Sequence, residues 1–119
     1  MSFWTSCVFT GLARSGVVEA YASNEADVLG SRFADLRCCR VAVESEAPGG
    51  LQHVRIALEL QQGVVHVAAA GPTHQSADSL CQLVGRAFDR AFAVLSVRRG
   101  AALRECPITT EPWVQREAC

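Results

Sequence analysis

The chain has no lysine: all 11 basic residues are arginine, set against 12 aspartates and glutamates, for a formal net charge of -1. That bias carries no mechanism by itself. The missing positive excess does count against a polyanion partner, because phosphate neutralisation supplies most of the non-specific affinity for nucleic acid. Long apolar runs are absent as well. No stretch approaches the roughly 20 residues needed to cross a bilayer, and residues 1–11 lack the charged start of a targeting peptide, so a soluble cytoplasmic protein with no membrane partner is expected.

The six cysteines, at 7, 38, 39, 81, 106 and 119, include no CxxC pair and follow no secretory signal, which argues against both a disulfide framework and zinc spacing. Reduced thiols are expected. His53, His66 and His74 with Cys81 lack two-ligand spacing and an adjoining acid, so structural roles are expected of them. There is no Ser-containing elbow, phosphate loop or paired-carboxylate motif to place a base beside a nucleophile. The expectation is therefore a protein that is not an enzyme and takes no cofactor or metal.

What is present is periodicity. Over residues 53–60, Val54, Ile56, Leu58 and Leu60 alternate with His53, Arg55, Ala57 and Glu59, the period of a strand with one buried face. Gln61, Gln62 and Gly63 read as a hairpin turn, Val65 and Val67 resume the alternation, and Gly71 with Pro72 ends the sheet. Ser76 is the N-cap of a helix with Asp78 in its first turn and Leu80, Val84, Ala87, Phe88, Ala91 and Leu95 at helical spacing. This helix covers the strand face.

Upstream, residues 3–9 read as a first strand closed by Gly11, and Ser15 with Gly16 opens a helix whose stripe is Val18, Ala22, Ala26, Leu29 and Phe33. Residues 36–44 form a strand in which Cys39, Val41 and Val43 face the core while Arg40, Ala42 and Glu44 face away; Cys38 then points outward, as a candidate reactive thiol. Pro48, Gly49 and Gly50 make the loop into the next strand. The order β-α-β-β-β-α predicts an α+β two-layer sandwich, a four-stranded mixed sheet with both helices on its single apolar face. Residues 1–99 form this domain, and residues 100–119 read as an irregular C-terminal tail containing Trp113, draped on the body or ordered by a partner. Trp4 likewise sits outside the periodic core.

Several strings along this order, VVEA at 17–20, RFADL at 32–36, CRVAVE at 39–44, HVRIALEL at 53–60 and GRAFDRAFAVL at 85–95, resemble the bacterial ribosome hibernation-promoting factors and ribosome-associated translation inhibitors, including the sigma modulation proteins. The resemblance covers roughly residues 7–99, and its specificity lies in the ordered set. It implies a fold related to the double-stranded-RNA-binding domain and a protein that binds small-subunit ribosomal RNA and silences translation under stress. By position it makes Arg40 and Arg55 on strands, and Arg86, Arg90, Arg98 and Arg99 on the last helix, the RNA-binding residues, with Arg32 a weaker candidate. The last four read as a stripe along the helix, against the plainer reading of a solvated face with dipole compensation.

One departure is informative. The family's first helix is rich in lysine and arginine, whereas residues 17–29 here contain neither and carry Glu19, Glu25 and Asp27. The alternative is therefore a diverged, non-ribosomal module of the same fold that pairs with another protein or forms a homodimer.

Overall fold

Strand alternation becomes a sheet with one apolar side. The computed structural model describes residues 4–45, 51–72 and 76–105, in the order β1 (Trp4–Thr10), α1 (Gly16–Arg32), β2 (Leu36–Ser45), β3 (Gln52–Leu60), β4 (Gly63–Gly71) and α2 (Ala77–Glu105). The strands lie in sequence order, β1 parallel to β2 and the remaining neighbours antiparallel. This is the expected β-α-β-β-β-α mixed sheet, and both helices pack on the same face of it.

The core explains why. Cys39, Val41 and Val43 from β2, Val54, Ile56, Leu58 and Leu60 from β3, and Ala69 from β4 form the buried sheet face. Against it lie Val18, Ala22, Ala26 and Leu29 of α1 and Leu80, Leu83, Val84, Ala87, Phe88, Ala91 and Leu95 of α2. Every member of the two expected helical stripes is buried, Phe33 included. Leu83 is also fully buried and was not among the residues expected there, although it sits three residues after Leu80 and four before Ala87.

The caps follow the sequence. The Val18 N–H donates to Ser15 Oγ at 3.3 Å, and the Ser79 N–H donates to Ser76 Oγ at 3.1 Å, so both serines satisfy otherwise orphaned amides. Gly11 adopts a φ of 80°, and a Cβ built on it would meet the Ser45 carbonyl oxygen at 2.1 Å, so the exit from β1 needs glycine twice over.

Three differences from the sequence reading bear on the packing and on the last helix. Strand β2 runs to Ser45, where Gln52 is its register partner and donates from Nε2 to Ser45 Oγ at 3.1 Å, closing one end of the core with a buried polar pair. Cys38 is on the side away from Cys39 yet fully buried: the register shifts between Leu36 and Cys38, and the thiol lies against Glu59 and Arg40. It is not an exposed thiol. Helix α2 continues through Gly100 to Glu105 instead of stopping at Arg99, because a single interior glycine costs about 1 kcal/mol and does not break a helix that resumes with Ala101, Ala102 and Leu103. The loop at Pro48, Gly49 and Gly50, together with His74, Trp113 and the rest of 106–119, lies outside the described residues.

Leu83→Ala is expected to destabilise the fold by about 2–5 kcal/mol through the cavity it leaves, measured by urea unfolding. Gly11→Ala is expected to cost more than the about 1–2 kcal/mol of a left-handed alanine, since the Ser45 carbonyl must also move. A midpoint unchanged in either variant would contradict the packing described.

Candidate nucleic-acid interface

Because both helices occupy one sheet face, the other face is formed by the alternate residues of every strand. Two arginines lie there. Arg40 Nη2 is 3.1 Å from Glu59 Oε2, and Arg55 Nη2 is 2.5 Å from Glu44 Oε2. The register makes both pairs diagonal, since Arg40 stands opposite Ala57 and Arg55 opposite Ala42. The two small residues leave a shallow concavity of about 330 Å³ between the ion pairs, edged by Ser6, Val8 and His66. Arg40 also lies 5.4 Å from the centre of the Trp4 ring, so the exposed tryptophan has a cation on its face. Exposed ion pairs contribute little to stability, but these two cancel the charge that Arg40 and Arg55 bring to this surface.

The arginines of α2 are arranged differently. Among the described residues none of Arg86, Arg90, Arg98 and Arg99 has a carboxylate within ion-pair distance. Arg90 Nη1 donates to the Ala68 carbonyl of β4 at 2.5 Å, and Arg86 Nη2 packs so closely on Gly71 that a Cβ there would meet it at 2.9 Å. Arg99 donates from Nη2 to the Arg32 carbonyl at the end of α1, and its guanidinium lies 4.5 Å from the Phe33 ring centre. A carbonyl accepts a hydrogen bond without cancelling a unit charge, so Arg90 and Arg99 are held in place and stay cationic.

These positions do not make one stripe. Arg86 and Arg90 lean toward β4, Arg99 toward α1, and Arg98 is half-buried between those flanks in sequence. Arg32, the weaker candidate, sits 5.5 Å from the Phe92 ring centre, and Phe92 meets Phe33 edge-on at 5.5 Å between centroids. The sequence reading placed Phe33 in the core and did not single out Phe92; the signal was available, since Phe92 lies seven residues before Arg99 and four after Phe88. On α1, Glu19 is engaged by Arg14 at 2.9 Å, and the helix adds Glu25 and Asp27 without a compensating base before Arg32.

Burial raises the described thiols above their ordinary value. Burial, with the neighbouring Cys38 and Cys7, pushes Cys39 up to about 12, and burial with Glu19 pushes Cys7 up to about 11, from an ordinary value of 9.0. Burial, then Glu59, raises Cys38 too. Among the described residues no group of three or more His, Cys, Asp or Glu side chains is placed to hold a metal, and no helix is long and apolar enough to cross a membrane. Because the folded values lie above the unfolded one, the stability carried by neutral Cys39 and Cys7 is complete below about pH 9 and declines as pH rises toward 11–12. The folded chain is expected to resist iodoacetamide at these two thiols near pH 8 and to react once unfolded in urea; rapid alkylation of the folded chain there would contradict the burial.

No protein-family model matches the sequence, and no curated protein matches it. Solved structures do. A ribosomal subunit interface protein from Coxiella burnetii superimposes with a TM-score of 0.64 at 10% identity, over 82% of this chain and 98% of that one. The N-terminal domain of Thermus thermophilus Protein Y superimposes with a TM-score of 0.58 at 21% identity, over 74% of this chain and 89% of that one. At these identities the likeness establishes a common fold.

Proposed function

We propose that this chain is a ribosome-associated factor that binds small-subunit ribosomal RNA and restrains translation. The observation that carries the proposal is the division among the arginines: among the described residues Arg86, Arg90, Arg98 and Arg99 of α2 have no carboxylate partner and Arg90 and Arg99 are fixed by backbone carbonyls, in a fold shared with a protein named for the ribosomal subunit interface. Pre-positioned guanidinium groups suit phosphates and 2′-hydroxyls recognised by shape, and positioning spares the side-chain entropy that a free arginine would lose on binding. The contacts are assigned to Arg86, Arg90, Arg98 and Arg99. Arg40 and Arg55, each already in an ion pair, add little to it.

The same fold acting as a protein-interaction or homodimer module is the second reading, favoured by the outer sheet face. There the ion pairs are internally balanced, and Trp4, Val8 and Val64 are about half exposed at 48%, 57% and 53%. Acidic α1 fits that reading as well.

Co-sedimentation with small ribosomal subunits separates the two. The chain is expected to pellet with subunits at about 50 mM salt and more weakly at about 200 mM, and Arg86→Glu/Arg90→Glu is expected to weaken binding at least about tenfold and to lower the salt slope by about 2. Absence of pelleting at both salts, with a mass from light scattering that doubles on concentration, would replace the ribosomal reading with the dimer.

A further inference from the structure

Where α1 ends and α2 passes it, two arginines and two phenylalanines interleave. Arg99 lies over Phe33 at 4.5 Å and Arg32 over Phe92 at 5.5 Å, and the two rings meet edge-on at 73°. Phe33 is buried at 4% exposure and anchors the group in the core, while Phe92 is 39% exposed and Arg32 and Arg99 are both exposed. Each guanidinium carbon therefore lies within cation–π reach of a ring while its residue stays exposed.

We propose that this cluster is a stacking site for an unpaired RNA base, with the Arg99 guanidinium, backed by Phe33, as the platform and Arg32 beside it for an adjoining phosphate. The inference rests on the ribosomal reading for its natural target and adds the form of RNA recognised. Unstacked bases are taken up by proteins on aromatic and arginine planes, whereas a duplex keeps its bases stacked on one another and offers only phosphate and 2′-hydroxyl.

Capping of α1 accounts for part of the arrangement, because Arg99 donates to the Arg32 carbonyl at the negative end of that helix. That contact uses one of the five donors of the guanidinium. The comparison within the molecule is sharper. Among the described residues Arg14, Arg40 and Arg55 each face a carboxylate, whereas Arg32 and Arg99 have none within ion-pair distance, and Asp35 in the turn after Phe33 forms no ion pair with them. The cluster is thus cationic and planar at once, which is the combination that distinguishes base stacking from simple phosphate attraction.

The test uses the full chain and two fluorescent probes, a single-stranded oligoadenylate 12-mer and the same strand paired with oligouridylate, followed by anisotropy. The wild type is expected to favour the single strand. Arg99→Lys keeps the charge and loses the plane, and it is expected to weaken single-strand binding by about fivefold or more and duplex binding by clearly less. Phe92→Leu, which keeps an apolar side chain at the surface, is expected to give a smaller loss of the same sign. Circular dichroism melts verify that both variants fold, and the Phe92 variant carries the test alone if Arg99→Lys does not. Equal losses on both probes, or no preference for the single strand, would overturn the stacking site. Subunit co-sedimentation is run in parallel. If wild type and variants pellet alike, the stack is wrong and the ribosomal reading stands; if the wild type does not pellet but keeps its single-strand preference, the ribosomal reading is wrong and the stack stands.

Discussion

A sheet with one apolar face has to be covered on that face alone, and this constraint decides which side of the sheet the charges of its strands reach. Strand β3 alternates strictly and β2 does so from Cys39 onward, so Val41, Val43, Val54, Ile56 and Leu58 are buried together and their neighbours emerge on the far side. Both helices are then committed to one layer. Small residues make that layer fit: Ala22 and Ala26 bring α1 close to the sheet, and at Gly85 a Cβ on α2 would meet the Tyr21 hydroxyl of α1 at 2.7 Å.

The consequence for electrostatics is a molecule with two kinds of cation. Those on the far side of the sheet stand in cross-strand register with carboxylates, because alternation places Glu44, Arg55, Arg40 and Glu59 on one surface at diagonal spacing. Arg90 and Arg99 of α2 emerge at the flanks of the helix layer, where the neighbouring groups are backbone carbonyls and an aromatic ring. Near-neutral composition therefore conceals an uneven distribution. Net charge tells how strongly a whole protein is attracted to a polyanion, while a positioned, uncancelled guanidinium tells where contact is made.

Much of the architecture was legible because it follows from period. The stripes of α1 and α2, the serine caps at Ser15 and Ser76 and the Gln61 and Gln62 hairpin are all local signals, and each has its counterpart in the structure. What was not legible depended on groups far apart in sequence. The burial of Cys38 needs a register shift in β2 and cover from Glu59, 21 residues on, and the role of Arg90 needs the edge carbonyl of Ala68, 22 residues back. The pairing of Arg99 with the Arg32 carbonyl spans 67 residues. An arginine's number of charges can be read from the sequence, but whether that charge is cancelled, capped or free is a tertiary property.

The central claim is that the α2 arginines contact RNA and those of the outer sheet face do not. It is tested most directly by measuring the salt dependence of small-subunit binding for Arg40→Gln/Arg55→Gln beside the wild type. Loss of two cations already cancelled by Glu59 and Glu44 predicts a salt slope equal to that of the wild type. A slope lower by about 2, as two lost phosphate contacts would give, would contradict the account and move the interface to the other side of the molecule.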